Sequence, residues 1–379
     1  MSTAIQNRFR RQMSAICLVG VLAVATPARA AESPDIPIAR DVTFVIAVSN
    51  GTSPTEPSAL EHIAQGDYET VVTITAVDDR GISQNAFIDG NDDAGVRRQV
   101  TIPRTVTTAD LASSHLQILG FHSADPPVVK GSTALGPSLA VVHDLLATGK
   151  TEYSFRNFAS LATISGTLRR DESVDVKFPV LVNGRRVELN AIRATGQMAS
   201  GGATRPFEHI ILVQPPYPVS LRIAYGPRGG SFPFTADFAR EIVRIDFPAK
   251  QAAGLADVLA KNCRAEVPGI YFDFNEATLK PQSQRALREV AAVLGRQPKM
   301  HVSIEGHTDN VGGEKYNDAL SAARAASVKT ALVNDFKIDA ATISTKGFGL
   351  RRPVETNATL AGRARNRRVE LVRDCGDGK

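Results

Sequence analysis

Apolar residues follow two different periods along this chain, and the change falls near residue 250. Residues 39 to about 248 carry short runs of β-branched residues bounded by turn formers, which is typical of strands. Asn183-Gly184 separates two such runs and predicts a tight hairpin, because both turn positions require positive φ. The predicted strands cover residues 42–48, 70–77, 180–182, 186–189, 208–213, 219–225 and 241–247.

One segment of this β-rich part has helical spacing instead. Within residues 137–148, Leu139, Val142, His143 and Leu146 fall on one helix face, and Gly149 supplies a stop signal. The pattern predicts a mainly-β N-terminal domain with a helical insertion. It leaves open whether this domain is one sandwich or two smaller units.

Strand and helix patterns alternate after residue 263. Strands are predicted at residues 270–274, 302–305, 343–346 and 368–373, with one helix opening at Pro281 and a second at residues 317–335. Strand–helix–strand units pair in parallel, and the last strand returns antiparallel. The order therefore predicts an α/β domain, β-α-β-α-β-β, with a mixed four-stranded sheet. The chain is predicted to be multidomain, with a β-rich domain at residues 31–248, a helical connector at 249–262 and the α/β domain at 263–379.

The first thirty residues have the features of a secretory signal peptide. Three arginines precede an apolar core at residues 13–25, and the Ala-Arg-Ala sequence at residues 28–30 offers a cleavage site. The apolar core is shorter than the about 20 residues that a membrane-spanning helix needs. We therefore expect residues 1–30 to be removed and the mature chain to lie outside the cytoplasm.

Composition narrows the function classes. Apolar residues make up 43% and charged residues 22% of the chain, which favours a folded protein over a disordered one. The formal net charge of +5 is too small to indicate nucleic-acid binding. Trp is absent, which weighs against an outer-membrane barrel with aromatic girdles.

The most specific pattern is a series of short motifs in the α/β domain. The motifs are Phe272-Asp273-Phe274, Gly306-His307-Thr308-Asp309, Leu320-Ser321, Arg324-Ala325, Gly347-Phe348-Gly349, Asn357, Gly362-Arg363-Ala364 and Asn366-Arg367-Arg368-Val369-Glu370. In this order and spacing, residues 268–372 resemble the OmpA-like peptidoglycan-binding domain family. That family is shared by outer-membrane anchors, peptidoglycan-associated lipoproteins and flagellar stator proteins. The N-terminal domain carries no comparable signature.

The resemblance implies a site for the meso-diaminopimelate residue of the peptidoglycan stem peptide. The side chain of this residue ends in an ammonium and a carboxylate on one carbon. By resemblance, Asp309 accepts the ammonium and Arg324 binds the carboxylate, to which a planar guanidinium offers two parallel hydrogen bonds. The further expected contacts come from Asn275, Thr308, Asn317, Leu320 and Arg367.

The same resemblance implies a non-catalytic protein of the periplasm, associated with the cell wall or outer membrane, that tethers its N-terminal domain to peptidoglycan. An envelope protein is the candidate partner of the N-terminal domain, and no nucleic acid, cofactor, metal or catalytic residue is expected. Two rival functions stay open. The N-terminal part could be a β-barrel of an integral outer-membrane anchor, or it could be a wall-processing enzyme that the C-terminal domain targets.

Taken alone, the site residues allow simpler interpretations. Asp309 and Arg324 would also suit an internal salt bridge, and the arginines near the C-terminus would suit a solvated basic face. The positions of His301, Glu305, His307 and Asp309 are all odd-numbered, so a continuous strand would place them on one face, as metal ligands could be. The strand is expected to end before Asp309, which disfavours that metal site.

Two cysteines, Cys263 and Cys375, bracket the α/β domain. In an oxidising periplasm this placement favours a disulfide, and the family fold places the first and last strands of the domain side by side. Closing a loop of about 110 residues would stabilise the folded domain by up to about 4–5 kcal/mol. Two free buried thiols are the alternative.

Overall fold

The computed structural model describes residues 35–50, 68–91, 97–119, 126–156, 163–172, 176–214, 217–227, 238–247, 255–272, 276–358 and 360–375. The expected signal peptide lies outside these residues. Within them, thirteen strands form a large N-terminal sheet and four strands form a second sheet. Among the helices of the described ranges, none is both long and apolar enough to cross a lipid bilayer.

The large sheet begins as an antiparallel meander of β1 (Thr43–Asn50), β2 (Tyr68–Asp78), β3 (Gly81–Asn91) and β4 (Arg97–Thr107). Helix α1 (Thr108–Ser113), β5 (Leu116–Ile118), β6 (Ser132–Thr133), helix α2 (Leu139–Thr148), β7 (Lys150–Arg156) and β8 (Ile164–Arg170) follow. The last strands are β9 (Val176–Val182), β10 (Arg185–Ser200), β11 (Ala203–Leu212), β12 (Val219–Tyr225) and β13 (Phe238–Asp246).

The strand order across this sheet is β4-β3-β2-β1-β13-β12-β11-β10-β8-β7-β5-β6. β9 pairs with both β10 and β13, so the strands β9 to β13 close into a ring. The predicted hairpin is confirmed as the β9–β10 turn, where Asn183 and Gly184 have φ values of 47° and 77°. Beyond the hairpin, β10 continues into pairing with β11 and β8.

Two apolar clusters form the core of the N-terminal domain. One surrounds Phe44 and Leu221, which are both fully buried. The other is rich in aromatic residues, with Phe155 stacked on Phe207 at a centroid distance of 4.8 Å and Tyr153 beside them. Burial of each such side chain contributes about 1.5–3 kcal/mol to the stability of the domain.

Helix α2 buries only part of the predicted face. Ser138 caps its start by accepting from the Val141 N–H, and Gly149 ends it with a φ of 74°. Val141, Val142 and Leu145 are buried and Leu146 packs against the core, while His143 is exposed. The predicted face is therefore confirmed at Val142 and Leu146 and wrong at His143. Aliphatic residues stand on more than one side of this helix, so spacing alone did not decide which side meets the core.

A buried polar cluster lies beside the aromatic residues of the N-terminal core. The Tyr153 hydroxyl donates to Gln117 Oε1 at 2.8 Å, and His209 Nε2 lies 2.8 Å from Ser220 Oγ. Burial, helped by the positive charge of Arg240, lowers the pKa of His209 to about 3, so its ring is neutral at neutral pH. The cluster pairs these polar side chains with one another, while His209 Nδ1 has no hydrogen-bond partner among the described residues.

The second sheet belongs to the C-terminal domain. Its elements are α3 (Leu255–Asn262), β14 (Arg264–Glu266), a 3₁₀ turn (Pro281–Ser283), α4 (Gln284–Arg296), β15 (Val302–Gly306), α5 (Glu314–Asn334), a 3₁₀ turn (Ala340–Thr342), β16 (Ile343–Gly347), α6 (Leu360–Asn366) and β17 (Val369–Arg373). The strand order is β14-β17-β15-β16. β17 is antiparallel to β14 and β15, and β15 is parallel to β16, which confirms the expected mixed four-stranded sheet.

The first strand of this sheet is not where the sequence pattern placed it. β14 pairs with β17, whereas Ile270 and Tyr271 lie outside any strand and Phe272 forms an isolated bridge with Leu279. Ile270 and Tyr271 are nevertheless buried. The apolar side chains of residues 270–272 are therefore explained by packing against the core, which a strand and an irregular segment can require equally.

The two cysteines form a disulfide between Cys263 and Cys375, whose Cα atoms lie 5.8 Å apart. Cys263 precedes β14 and Cys375 follows β17, so the bridge closes the adjacent strand pair, as expected. The connector helix is α3, and its Leu259 packs into the C-terminal core.

The two domains meet where β1 and β13 face α6. Val45 and Val243 of the N-terminal domain form an apolar cluster with Tyr271 and Ala364 of the C-terminal domain. The Tyr271 hydroxyl also donates to the buried carboxylate of Asp246. This contact places the loops of the C-terminal domain against the large sheet.

Candidate functional site

Two glycines allow helix α5 to pack directly on the ends of β15 and β16. A Cβ atom at Gly306 would lie 2.2 Å from the Ser321 carbonyl oxygen, and one at Gly347 would lie 2.5 Å from the Ala322 backbone nitrogen. Neither position admits a side chain unless the helix moves. Ser321 Oγ accepts from the Gly349 N–H at 2.9 Å, which fixes the loop after β16 to the same helix.

The loop between β15 and α5 presents Asp309 at the base of the site. Asp309 is buried, and its Oδ1 accepts from the Val311 N–H at 3.0 Å. Asn317 Nδ2 donates to the Val311 carbonyl at 3.0 Å. Helix α5 begins at Glu314, with Gly313 as its N-cap, which is earlier than the predicted start at residue 317. Asn317 therefore lies inside the helix and braces the loop that carries Asp309.

Arg324 projects from the third turn of α5, on the helix face that also carries Asn317, into a nearly closed environment. Arg324 is only 9% exposed. Its Nε donates to the Glu276 carbonyl at 2.9 Å, and its guanidinium lies 5.0 Å from the centroid of the Phe272 ring. Its Nη1 and Nη2 atoms have no hydrogen-bond acceptor among the described residues. Burial, together with the charge of Arg367, lowers the pKa of Arg324 to about 10, so it stays charged at neutral pH.

Arg367 joins Asp309 to the N-terminal domain. Its Nη1 donates to Asp309 Oδ2, and its Nη2 donates to Glu69 Oε1 on β2. Burial opposes the charge of Arg367, but the two carboxylates outweigh it and raise its pKa above the usual range. The internal salt bridge considered for Asp309 and Arg324 is thus made by Arg367 instead.

Asn366 positions Arg367 from inside the protein. Its side chain is fully buried, accepts from the N–H groups of Val354 and Glu355 at 2.8 and 3.0 Å, and donates to the Glu355 carbonyl at 2.8 Å. These bonds tie residues 354–355 to the end of α6. The adjacent Arg367 is consequently held toward the site.

A possible metal-ligand group lies next to the site, but its charges are already balanced. The ligand atoms of Glu305, His307 and Glu370 lie within 4.8 Å of one another. Arg264 lies 3.0 Å from Glu305 Oε2 and donates to Glu370, while Arg368 Nε donates to Glu370 at 2.6 Å. Burial and the charge of Arg368 lower the pKa of His307 to about 4. A divalent cation would have to displace these guanidinium groups, so the donor set does not favour one.

The other expected site residues have different surroundings. Thr308 is buried, and its N–H donates to the Gly349 carbonyl at 3.0 Å. Leu320 is half-buried on α5. His301, which was considered as a metal ligand, is exposed. Asn275 lies outside the described residues.

A cavity of about 50 Å³ lies between the two domains, beside Arg324 and Arg367. Glu69 and Arg244 line it from the N-terminal domain, and Phe272, Arg324 and Arg367 line it from the C-terminal domain. Glu69 and Arg244 were missed by sequence reasoning, because they stand in strands whose signal was β propensity. No local pattern indicated that either would reach a site formed by residues far along the chain.

Comparison with known proteins finds one family that matches a part of the C-terminal domain. The model of the OmpA family matches residues 271–367, and this match does not extend into the N-terminal region. Outer membrane protein Omp38 of Acinetobacter baumannii is 47% identical over 100 residues, which are 26% of this chain and 28% of that protein. Outer membrane porin F of Pseudomonas aeruginosa is 40% identical over 101 residues, or 27% of this chain and 29% of that protein. The chain thus matches less than a third of the length of these relatives.

Solved structures match a similar share of the chain. The peptidoglycan-associated lipoprotein from Burkholderia pseudomallei is 34% identical, with a TM-score of 0.26 and coverage of 28% of this chain and 88% of that chain. The cell wall anchor of the T6SS from Pseudomonas aeruginosa is 30% identical, with a TM-score of 0.26 and coverage of 32% and 94%. By the family match and the sequence identity of the curated relatives, residues 271–367 form an OmpA family domain.

Proposed function

We propose that the C-terminal domain, residues 263–379, binds the meso-diaminopimelate stem peptide of peptidoglycan and tethers the N-terminal domain, residues 31–248, to the cell wall. The protein would act in the periplasm as a non-catalytic envelope component. The peptidoglycan-associated lipoprotein and the cell wall anchor among the matched structures support this class of ligand. The outer-membrane proteins among the relatives support the envelope location.

The observation that carries the proposal is the state of Arg324. Its guanidinium is more than nine-tenths buried, charged at neutral pH, and lacks an acceptor at both Nη atoms among the described residues. Burying a charge without a hydrogen-bonded partner is costly, so such a group is expected to meet an anion in the functional state. The two free Nη atoms form the planar fork that a carboxylate accepts.

Asp309 supplies the complementary charge. One of its oxygens binds the Val311 N–H and the other binds Arg367, which uses two of the about four lone-pair positions of a carboxylate. The remaining positions can accept an ammonium. One site therefore offers an acceptor for the ammonium and a fork for the carboxylate, as the end of diaminopimelate requires.

The expected affinity is moderate. Two charge-assisted anchors contribute about 1.5–3 kcal/mol each, and part of this is lost to the cost of association. We therefore expect a micromolar dissociation constant, which suits a tether that engages a polymer at many equivalent positions.

The test is retention of the purified protein by diaminopimelate-type sacculi. Asp309→Asn and Arg324→Lys keep the size of each side chain approximately and remove the charge or the planar fork. Asp335→Asn and Arg351→Lys make the same two changes at the end and beside the start of α5, and serve as matched controls. We expect at least about tenfold weaker retention of both site variants and unchanged retention of both controls. The proposal fails if the wild type is not retained, or if the folded site variants are retained as well as the wild type.

A further inference from the structure

The arginines of the site already face a carboxylate, and this carboxylate belongs to a side chain of the N-terminal domain. Glu69 on β2 accepts a hydrogen bond from Arg367 Nη2 and lines the cavity that contains Arg324. A side-chain carboxylate of this chain thus stands among the same guanidinium groups that a stem-peptide carboxylate would approach.

The surroundings of Glu69 favour its ionised form. Burial would raise the pKa of its carboxyl group, but Arg367, Arg244 and Lys280 outweigh burial and lower it. The negative charge of Glu69 also raises the pKa of Arg324 and so partly offsets the effect of burial, which lowers it. The pairing therefore compensates charges from both domains.

Several contacts hold Glu69 in this position. Tyr271 donates to Asp246, and both are buried. Lys280 of the C-terminal domain lies 4.8 Å from the centroid of the Phe87 ring on β3. Together with the apolar cluster around Tyr271, these contacts keep β2 against the site.

The cavity left in this arrangement is small. Its volume of about 50 Å³ provides room for a few water molecules, far less than a stem peptide needs. A ligand that reaches Arg324 and Arg367 from this side must displace Glu69 and separate the domains.

We propose that the N-terminal domain is an intramolecular competitor of peptidoglycan, with the carboxylate of Glu69 occupying the place of the stem-peptide carboxylate beside Arg367 and Arg324. The protein then alternates between a closed form, in which Glu69 holds the site, and an open form that binds the wall. This inference rests on the proposed function and adds the regulation of the same site.

The closed form reduces the apparent affinity by the fraction of molecules that are open. Glu69→Gln removes the charge with little change in shape and weakens the closed form alone. We expect it to tighten binding about tenfold, and Glu69→Lys to tighten it further through repulsion by Arg367. Glu188→Gln makes the same change at an exposed position of β10 that does not line the cavity and should leave affinity unchanged.

The experiment measures the dissociation constant of the purified protein for an uncrosslinked diaminopimelate-type muropeptide by calorimetry, with the four forms in parallel. Small-angle scattering of the wild type with and without saturating muropeptide measures domain separation. We expect the order Glu69→Lys, Glu69→Gln, then wild type equal to Glu188→Gln, together with a larger radius of gyration when ligand is bound.

The outcomes separate the two proposals. If the wild type binds and Glu69→Gln binds equally or more weakly, the competitor role is wrong while the wall-binding function stands. Weaker binding would instead make Glu69 a ligand contact. If the radius of gyration does not change on binding, the open form does not exist and the inference fails. If no form binds muropeptide, the proposed function itself is wrong.

Discussion

A single methyl group at Gly306 tests how the fold positions the site. In Gly306→Ala the new Cβ would lie 2.2 Å from the Ser321 carbonyl oxygen. Real Cβ atoms essentially never come within 3.0 Å of a non-bonded heavy atom. Helix α5 must therefore move away from β15 by at least about 0.8 Å. Overpacking of this kind costs about 1–3 kcal/mol of unfolding free energy.

The same shift disturbs the site, because α5 carries both Asn317 and Arg324 and braces the Asp309 loop. Loss of one charge-assisted contact, about 1.5–3 kcal/mol, predicts about 10- to 100-fold weaker muropeptide binding.

The assay combines urea unfolding with muropeptide binding by calorimetry. Gly295→Ala is the matched control, because Gly295 lies within α4 and an added Cβ there meets no atom within 4 Å. An alanine in a helix should stabilise the domain there by about 0.5–1 kcal/mol and leave binding unchanged. The same substitution thus has opposite effects at the two glycines. A Gly306→Ala protein with wild-type stability and affinity would refute the argument that close helix–strand packing positions the site.

Three further predictions concern stability. Replacing Cys263 and Cys375 with Ser should lower the unfolding free energy of the C-terminal domain by up to about 4–5 kcal/mol, and a urea midpoint equal to the wild type would contradict this. The pKa of His209 is about 3 when folded and near 6.5 when unfolded, so the unfolded chain binds the proton first as pH falls. Protonation of His209 in the unfolded chain should therefore lower stability below about pH 6.5 by up to about 1.4 kcal/mol per pH unit. His209→Asn should remove this contribution and leave that of His307, whose pKa is also lowered. Asn366→Ala leaves the Val354 amide and its neighbour without acceptors and should cost about 2–4 kcal/mol in urea unfolding.

Features with a clear signature in the sequence, such as a turn motif, an order of elements or the position of two cysteines, could be predicted. The Asn183-Gly184 turn follows from the positive φ that both positions require. The mixed sheet follows from the strand–helix order, and the disulfide follows from cysteines placed beside its two adjacent strands. The α/β domain could be assigned because its motifs combine glycines that the close helix–strand packing requires with the charged side chains of the site.

Features that depend on packing between distant segments could not be predicted. Helix α2 has aliphatic residues on several sides, so only the folded core shows that Val141 rather than His143 is buried. The segment at residues 270–272 has the apolar composition of a strand but lies outside the sheet. Glu69 and Arg367 are 298 residues apart, and no periodicity connects them. Their contact depends on how two domains dock.

The most direct test of the binding proposal compares two uncrosslinked muropeptides that differ in one group. Diaminopimelate-type stem peptide carries both an ammonium and a carboxylate at its side-chain end, while lysine-type stem peptide carries the ammonium alone. If Arg324 binds that carboxylate, the purified protein should bind the diaminopimelate form with micromolar affinity and the lysine form at least about tenfold more weakly. The difference should disappear in Arg324→Lys. Equal affinity of the wild-type protein for both muropeptides would contradict the role of Arg324 and the recognition of diaminopimelate.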